Sequence, residues 1–539
     1  MKQSRRSTKT HRLPEQRQGS LLELEPVAKP AAAVPTRVLF EHGDRDGLFV
    51  GNRPLKQYLK DAGLGWVLRV GELMDELDLS AFEAGYEPGG RPPLHPRRVL
   101  GLMMYAAVLQ QSSLRQTEAL AHRDVGAWWL TGGLTPDHTT IARFIGRHEA
   151  LLTENFFVEV TSKIAKHLGA TASDLAIDGT VKMAVASSAS ALKKEALERK
   201  RAEARDDEAI AKAAAAAAGT EDAGRAAQCA QAAQKRAEQL DEAHAALVKR
   251  EAARKAAGKS VDDVQVSPTE PEAVMQPLKQ SNDFGFAYKP VVGAHPSGLI
   301  VAQNLSAASE TEHVEALIAQ HARVLGAAPE RVLADSGFST IHLLTYLVVH
   351  AIDALIPSGR DGKPRSGRNG LFAKSVFQYL EDEDRVRCPA GQKMTPGPSK
   401  KDRHGNSHRL FGTPACKTCP LLERCTKAKS KSRTYKRYDG DELKDAMNEV
   451  LSHPSAQTAF KLRSTMVEPV FARLNAAGFT RFRRKGTRRV STEFALMCSA
   501  HNIRLFVGRW RAAVVVFCAV RLRDGAWCFG FSVSVEMAP

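Results

Sequence analysis

The sequence lacks any apolar run long enough to cross a membrane. Its longest strongly apolar run near the C-terminus, residues 512–520, lies between Arg511 and Arg521. That is well short of the roughly 20 residues that a membrane helix needs. Residues 1–18 are polar and basic and have no apolar centre of the kind found in signal peptides. We therefore expect a cytoplasmic protein without a membrane partner.

Cysteine is also scarce, with eight residues in a chain of 539. Four of the cysteines fall close together: Cys388, Cys416, Cys419 and Cys425. In a reducing compartment such a group favours metal binding over disulfides, and a Cys-x-x-Cys pair with two further cysteines is typical of a tetrahedral Zn²⁺ site. The group lies in a cysteine-rich insertion, residues 385–430, where it would hold a basic loop that includes Lys400 and Lys401. The alternative is a set of reduced, unliganded thiols in a mobile loop.

Acidic residues are too few to balance the basic ones. The chain has 60 Asp and Glu against 77 Lys and Arg, which gives a formal net charge of +17. Such an excess favours a polyanionic partner, foremost nucleic acid, because basic side chains neutralise phosphates and release counterions. A basic excess of this size is also found in proteins in which it only serves solubility or reflects the general composition of the host. Charge alone therefore does not identify the partner. The length predicts two or three structural units.

The first part of the chain is predicted to be helical. Residues 1–36 form a basic lead-in without periodicity, and residues 37–165 show helical apolar spacing. One short helix is predicted over residues 113–125, and Pro136 with Asp137 begins another, which predicts helix, turn, helix. The second helix carries side chains suited to phosphates and base edges: His138, Thr139, Thr140, Arg143 and Arg147. The alternative is that these residues form the solvated face of a packing helix.

The rest of the chain alternates between strands and helices. Residues 166–189 and 281–510 predict the order β-β-β-α-β-α-β, with strands over residues 175–185, 284–292, 299–306, 331–334 and 352–357. A helix near residues 456–477 follows, and the order implies a mixed sheet with helices on its faces. Residues 190–280 interrupt this order with long Ala- and Glu-rich helices, as a hairpin or coiled coil, and a Pro-rich linker. Residues 511–539 receive no assignment.

Three carboxylates stand out in this order. Asp178 and Asp335 each follow an apolar strand and precede a glycine by one or two residues, and Glu468 lies beside the apolar stripe of the late helix. Strand-end acids indicate a shared site, since a buried strand rarely carries an unpaired carboxylate. Mg²⁺ and Mn²⁺ prefer oxygen ligands, and two such ions can activate the attacking oxygen and stabilise the leaving oxygen in phosphoryl transfer.

Four stretches together carry a resemblance to a known family: PDHTTIARF at 136–144, AIDGT at 176–180, VLADSGF at 332–338 and VEPVF at 467–471. In this order, within residues 55–507, the chain resembles the bacterial insertion-sequence DDE transposases, which have a ribonuclease-H-like core and a helical N-terminal DNA-binding domain. The resemblance implies an α/β ribonuclease-H-like fold and a catalytic, metal-binding triad of Asp178, Asp335 and Glu468. It also implies Mg²⁺ or Mn²⁺, transposon-end and target DNA as partners, a homo-oligomer on DNA and a location at the nucleoid.

The chain departs from the family pattern around Glu468. Arg463 matches the family's arginine before the glutamate, whereas Phe460 and Asn475 stand where tyrosine and lysine are expected. We expect Arg463 and Arg473 to contact DNA, with Arg473 or the basic run at 481–485 replacing the missing lysine. Two other readings remain open: a catalytically inactive, transposase-derived DNA-binding protein, and a ribonuclease-H-like nuclease that cuts without joining.

Overall fold

The structure is a computed structural model that describes residues 38–111, 113–219, 222–256, 258–278, 283–358, 371–402 and 405–523. The predicted lead-in and residues 524–539 of the unassigned tail lie outside these residues. Within them, no helix combines the length and the apolar character needed to cross a membrane. The fold is mixed α/β, as the sequence predicts.

The N-terminal part consists of helices with one small ribbon, in which β1 pairs with β2. Its elements in chain order are β1 (Phe49–Val50), β2 (Arg53–Pro54), α1 (Leu55–Asp61), α2 (Gly65–Asp75), α3 (Ser80–Glu83), α4 (Pro96–Val108), α5 (Leu114–Arg123), α6 (Val125–Thr131), α7 (His138–Arg147), α8 (Glu149–Thr153) and α9 (Asn155–His167). The predicted helix, turn, helix corresponds to α5 and α7, but α6 lies between them. The prediction of a simple turn at this point was therefore wrong.

Capping residues explain where α5 and α7 begin. Ser113 and Gln116 form a reciprocal capping box at the start of α5, and the Asp137 side chain accepts a hydrogen bond from the Thr140 amide at 2.6 Å. Both contacts satisfy amides that the first turn of a helix leaves without partners. Gly132 adopts the left-handed conformation that ends α6. The polar residues at the predicted helix starts therefore act as caps.

A seven-stranded mixed sheet forms the centre of the molecule. Its strands are β3 (Asp174–Gly179), β4 (Lys182–Met183), β5 (Val274–Pro277), β6 (Phe284–Ala294), β7 (Ile300–Ser306), β8 (Arg331–Ala334) and β9 (Asp353–Leu355). Strand β6 runs antiparallel to β3, β4, β5 and β7, whereas β3, β8 and β9 run parallel to one another. This is the predicted sequence of meander strands followed by strands that alternate with helices, although the single strand predicted over residues 175–185 divides into β3 and β4.

Two long helices form the insertion between β4 and β5. These are α10 (Lys194–Ala217) and α11 (Ala223–Ala256). Ion pairs join Lys194 to Glu251 and Arg201 to Asp241, so the partner number falls as the residue number rises. The helices are therefore antiparallel, which confirms the predicted hairpin. Their seam is a small core of its own, in which Leu197, Leu240 and Leu247 are buried.

A second, six-stranded sheet occupies the cysteine-rich region. Its elements are β10 (Gln378–Leu380), β11 (Arg385–Arg387), β12 (Lys393–Pro396), β13 (Lys400–Lys401), β14 (Ser407–Gly412), α14 (Leu422–Cys425) and β15 (Tyr435–Tyr438), and the helix α14 lies between the last two strands. The prediction of a loop around Lys400 and Lys401 was wrong, because both residues belong to strand β13. Alternation over strands this short leaves little periodic signal in the sequence.

The remaining helices cover the central sheet: α12 (Val314–Leu325), α13 (Ile341–Val349), α15 (Asp441–Ser452), α16 (Pro454–Ala476) and α17 (Thr487–Arg523). Side chains of β3 alternate between two buried clusters. Leu175 and Ile177 pack with the N-terminal helices and α12, whereas Ala176 packs with Val467 and Val470 of α16. The first cluster is continuous from the N-terminal helices through Phe506 of α17 to the sheet.

Candidate active site

The two aspartates predicted as catalytic lie side by side at the carboxyl ends of β3 and β8. The parallel register pairs Ile177 with Ala334, so Asp178 and Asp335 are the next residues on neighbouring strands. Successive side chains of a strand point to opposite faces. Ala176 and Leu333, two residues before each aspartate, both belong to the buried cluster of α16. Both carboxylates therefore extend from the sheet on the side covered by α16.

The surroundings of the two aspartates differ. Asp178 accepts a hydrogen bond from the Gly179 amide at 2.8 Å, and its Oδ2 lies 3.3 Å from Nη1 of Arg463, with side-chain exposures of 22% and 17%. Asp335 is half-buried, like Asp178, and caps the turn that follows it by accepting from the Gly337 amide at 2.8 Å. Arg463 thus places a positive charge against Asp178 and pairs with it.

Glu468, the third predicted acid, lies on α16 and is exposed. It follows Arg463 by five residues, which corresponds to a rotation of about 140° around a helix axis. Among the described residues, no group of three or more His, Cys, Asp or Glu side chains is arranged to hold a metal ion. The structure brings Asp178 and Asp335 together but does not gather Glu468 with them. Pro469 follows Glu468 inside the helix and removes one backbone hydrogen bond there.

The departures from the family pattern have structural counterparts. Asn475 accepts a hydrogen bond from Lys182 of β4, and the same ammonium donates to the carbonyl of Phe479 at 2.8 Å. Lys182 is buried, and this burial lowers its pKa. Phe460 packs against the cluster beneath α16. Phe460 and Asn475 thus make contacts within the protein. The ammonium group beside Asn475 belongs to Lys182 of β4 and not to a lysine of α16.

Arg473 lies at the other end of the sheet. Its Nη1 is 3.3 Å from where a Cβ on Gly298 would stand. Gly298 belongs to the turn between β6 and β7, and Ala294 at that end of β6 pairs with Ala176, two residues before Asp178. The structure therefore places Arg463 beside the aspartates and Arg473 away from them, at the amino end of β3.

Helix α7 carries the residues predicted to contact DNA. Thr139, Arg143 and Arg147 are exposed, while Ile141, Phe144 and Ile145 are buried on the opposite face. The Nδ1 atom of His138 lies 2.7 Å from Glu118 of α5, Thr140 is half-buried, and the guanidinium of Arg147 lies 4.5 Å from the centre of the Tyr86 ring. The polar stripe of α7 therefore faces solvent, although its two ends are held by neighbours.

Sequence reasoning missed two groups near these sites. Glu310 lies against Gly179, where an added Cβ would stand 2.8 Å from its Cδ, and pairs with Lys289 at 3.5 Å. Because Gly179 follows Asp178, Glu310 approaches the strand from the face opposite to the Asp178 side chain. The other group is buried Glu149, which is close to three arginines: Arg484, Arg488 and Arg489. Neither acid lies in a recognisable sequence motif at the end of a strand, so no local pattern in the sequence predicted them.

The four clustered cysteines come together beside the second sheet. They line one cavity of about 20 Å³, together with Phe372, Phe377 and other residues. Burial raises the pKa of the Cys425 thiol, and the neighbouring thiols of Cys416, Cys388 and Cys419 raise it further. Thiols this close disfavour several negative charges unless a cation is present. The arrangement confirms that the cysteines are neighbours, but they do not form a group that the geometry identifies as a metal site.

Comparison with protein families identifies two parts of the chain. A family model described as "Transposase DDE domain" matches residues 387–507, and one described as "Transposase domain (DUF772)" matches residues 66–147. Both models describe transposase domains, and together they support the resemblance of the chain to the insertion-sequence DDE transposases. No curated protein and no solved structure gives a significant match to this chain.

The two matches cover different parts of the chain. The first includes Arg463, Glu468 and the four cysteines, and the second ends with Arg147, the last residue of α7. Neither match includes Asp178 or Asp335. The family therefore supports transposition as the activity, while the pairing of the two aspartates depends on the sheet register.

Proposed function

We propose that this transposase binds the ends of an insertion sequence, cuts them and joins them to target DNA, with Asp178, Asp335 and Glu468 as the catalytic acids. The observation that carries the proposal is the parallel register of β3 and β8, which sets the two aspartates next to each other below α16. The strand order β7-β6-β3-β8-β9, antiparallel and then parallel, supports a ribonuclease-H-like core. We further propose that the protein acts as a homo-oligomer on nucleoid DNA in the cytoplasm.

The paired aspartates fit a hard divalent ion such as Mg²⁺ or Mn²⁺, because both provide carboxylate oxygens on one face of the sheet. A bound ion of this type would activate the attacking oxygen and stabilise the leaving oxygen of a phosphodiester. Glu468 would complete the ligand set through a change at α16, which Pro469 makes easier by removing a backbone hydrogen bond. The ion pair with Arg463 holds the Asp178 carboxylate in place.

The face of α7 is the part of the N-terminal helices best suited to contact the DNA ends. Exposed Arg143 and Thr139 would reach phosphates or base edges, and Arg147 is held beside Tyr86. Replacing Arg143 with Gln is expected to weaken binding and to lower the dependence of the binding constant on salt by about one phosphate contact.

The test of the catalytic assignment is cleavage and joining of an oligonucleotide that carries the element's own ends. With Mg²⁺ or Mn²⁺, Asp178→Asn, Asp335→Asn and Glu468→Gln should each lower the rate at least a thousandfold while end binding persists. Glu312→Gln, an exposed acid at the loop before α12, is the matched control and should retain activity. Wild-type protein that binds the ends but never cuts them would indicate an inactive DNA-binding descendant.

For the cysteines we propose a structural Zn²⁺ held by Cys388, Cys416, Cys419 and Cys425. Their convergence on one small cavity supports this proposal. Purified protein should contain about one zinc per chain by elemental analysis, and Cys416→Ser should lose it. Cys229→Ser, on the exposed surface of α11, should retain it. Wild-type protein free of zinc, after purification without chelators, would refute the proposal.

A further inference from the structure

A second cavity lies between the N-terminal helices and the start of α17, apart from the paired aspartates. Its volume is about 370 Å³, which falls within the range of about 300–1,000 Å³ that is usual for small-molecule sites. Met103 and Met104 of α4, Ile145 of α7 and Met497 of α17 give it an apolar interior. The cavity thus joins the helix proposed to contact DNA to the part of the chain that carries the DDE family match.

Arginines dominate the charge of this cavity. Four of them line it: Arg481, Arg483, Arg484 and Arg504. Arg481 donates to the carbonyls of Ala184 and Val185 at 3.0 and 3.1 Å, and Arg504 donates to the carbonyl of Ala500 at 3.4 Å. Neutral carbonyl partners leave the positive charge of both side chains in place.

One carboxylate, that of Glu493, lines the same cavity. Its oxygens accept hydrogen bonds from the backbone amides of Arg483 and Arg484 at 3.0–3.1 Å. Burial raises its pKa. Arg484 also pairs with buried Glu149 at 3.8 Å, so the four arginines of the lining face two carboxylates. The cavity therefore keeps an excess of positive charge around an apolar interior.

We propose that this cavity binds one nucleotide of the DNA, with the base in the apolar interior and a phosphate on the arginines. Apolar side chains can hold an unstacked base between them, and guanidinium groups pair with phosphate through charge-assisted hydrogen bonds. Gln110 and Gln111 also line the cavity, and their amides match the donor and acceptor pattern of base edges. Gln110 has the left-handed backbone angle φ of 60°, a conformation that non-glycine residues adopt at a cost.

The proposal rests on the proposed function in one respect, since it takes DNA as the source of the nucleotide. Binding of the nucleotide itself is independent of catalysis. It can therefore be tested on the full chain with deoxyadenosine 5′-monophosphate as the probe, without knowledge of the transposon ends. Deoxyadenosine and inorganic phosphate, each titrated alone by calorimetry, separate the contributions of base and phosphate.

The expected result is saturable binding of deoxyadenosine monophosphate, at least tenfold tighter than binding of deoxyadenosine or of phosphate. Ala107→Phe, which adds a ring to a half-buried residue lining the cavity, should weaken this binding at least tenfold. Ala119→Phe is the matched control on α5, outside the lining, and should bind as the wild type does. Arg504→Gln is a second variant that weakens phosphate contact without filling the cavity.

Three results would overturn the proposal: no saturable binding of the monophosphate, equal binding of inorganic phosphate alone, or unchanged binding in both Ala107→Phe and Arg504→Gln. Asp178→Asn separates the two proposals, because it should abolish strand joining and keep nucleotide binding. Joining by a wild-type protein that does not bind the nucleotide would leave the proposed function intact and refute the cavity proposal. Nucleotide binding without strand joining would leave the cavity proposal intact and refute the proposed function.

Discussion

Asn502 of α17 offers a quantitative test of how the helices and the sheet are held together. Its side chain is fully buried. The Oδ1 atom accepts from the amide of Ile300 at 2.9 Å, while Nδ2 donates to the carbonyl of Ile300 at 2.8 Å and to Oγ1 of Thr161 at 3.0 Å. One side chain thus joins α17, β7 and α9, which are far apart in the sequence.

Replacing Asn502 with Ala removes three buried hydrogen bonds and leaves their partners in an apolar region. At about 1 kcal/mol for each bond, plus desolvation of the groups left unpaired, the free energy of unfolding should fall by about 3–5 kcal/mol. The melting temperature should then fall by about 3–5 °C, since the entropy of unfolding of a chain this long is about 1 kcal/mol/K. Asn304→Ala, at a half-buried position of β7, is the control and should cost under about 1 kcal/mol.

Thermal unfolding followed by circular dichroism measures this loss, and hydrogen exchange at the Ile300 amide locates it. The variant should exchange that amide faster than the wild type does. A melting temperature for Asn502→Ala within 2 °C of the wild-type value, or equal to that of Asn304→Ala, would refute the reasoning about the three bonds.

Two further predictions concern charge. Arg463→Gln and Asp178→Asn should show a coupling of about 1–2 kcal/mol in a double-mutant cycle of unfolding, because their ion pair is largely enclosed; additivity within about 0.4 kcal/mol would contradict this. Burial lowers the pKa of three histidines to about 4: His148, His321 and His501. Between pH 6.5 and 4 the unfolded chain binds protons that the folded chain does not, so stability should fall on acidification in this window, by up to about 3 kcal/mol for each histidine. A melting temperature that is unchanged or higher at pH 5 than at pH 7 would show that these rings do not stay neutral.

Local patterns in the sequence predicted the central sheet well. Strand β8 coincides with its predicted bounds, and β6 and β7 lie within two residues of theirs, because buried strands are short apolar runs bounded by turn residues. The hairpin of α10 and α11 followed from composition. A shared site of Asp178 and Asp335 was also inferred from their positions after strands, and the register places the two residues on neighbouring strands.

Other features depend on contacts that no local pattern records. Helix α6 contains two tryptophans and a terminal glycine, a composition that does not distinguish a short helix from a turn. The contact between Arg463 and Asp178 joins residues 285 positions apart, and the distance of Glu468 from the aspartates depends on the rotation of α16. The cavity between α4 and α17 arises from the packing of two elements that are separate in the sequence.

The continuous core between the N-terminal helices and the sheet limits how this protein can be divided. Helix α17 contributes Ile503, Phe506 and Val507 to the cluster that also contains Leu73 and Leu100. A fragment that ends before α17 would expose this apolar surface on both sides at once and would be prone to aggregate. With α7 contacting the ends as proposed above, exchange of end specificity between related elements should therefore proceed through substitutions on its exposed face, and not through transfer of the whole N-terminal segment.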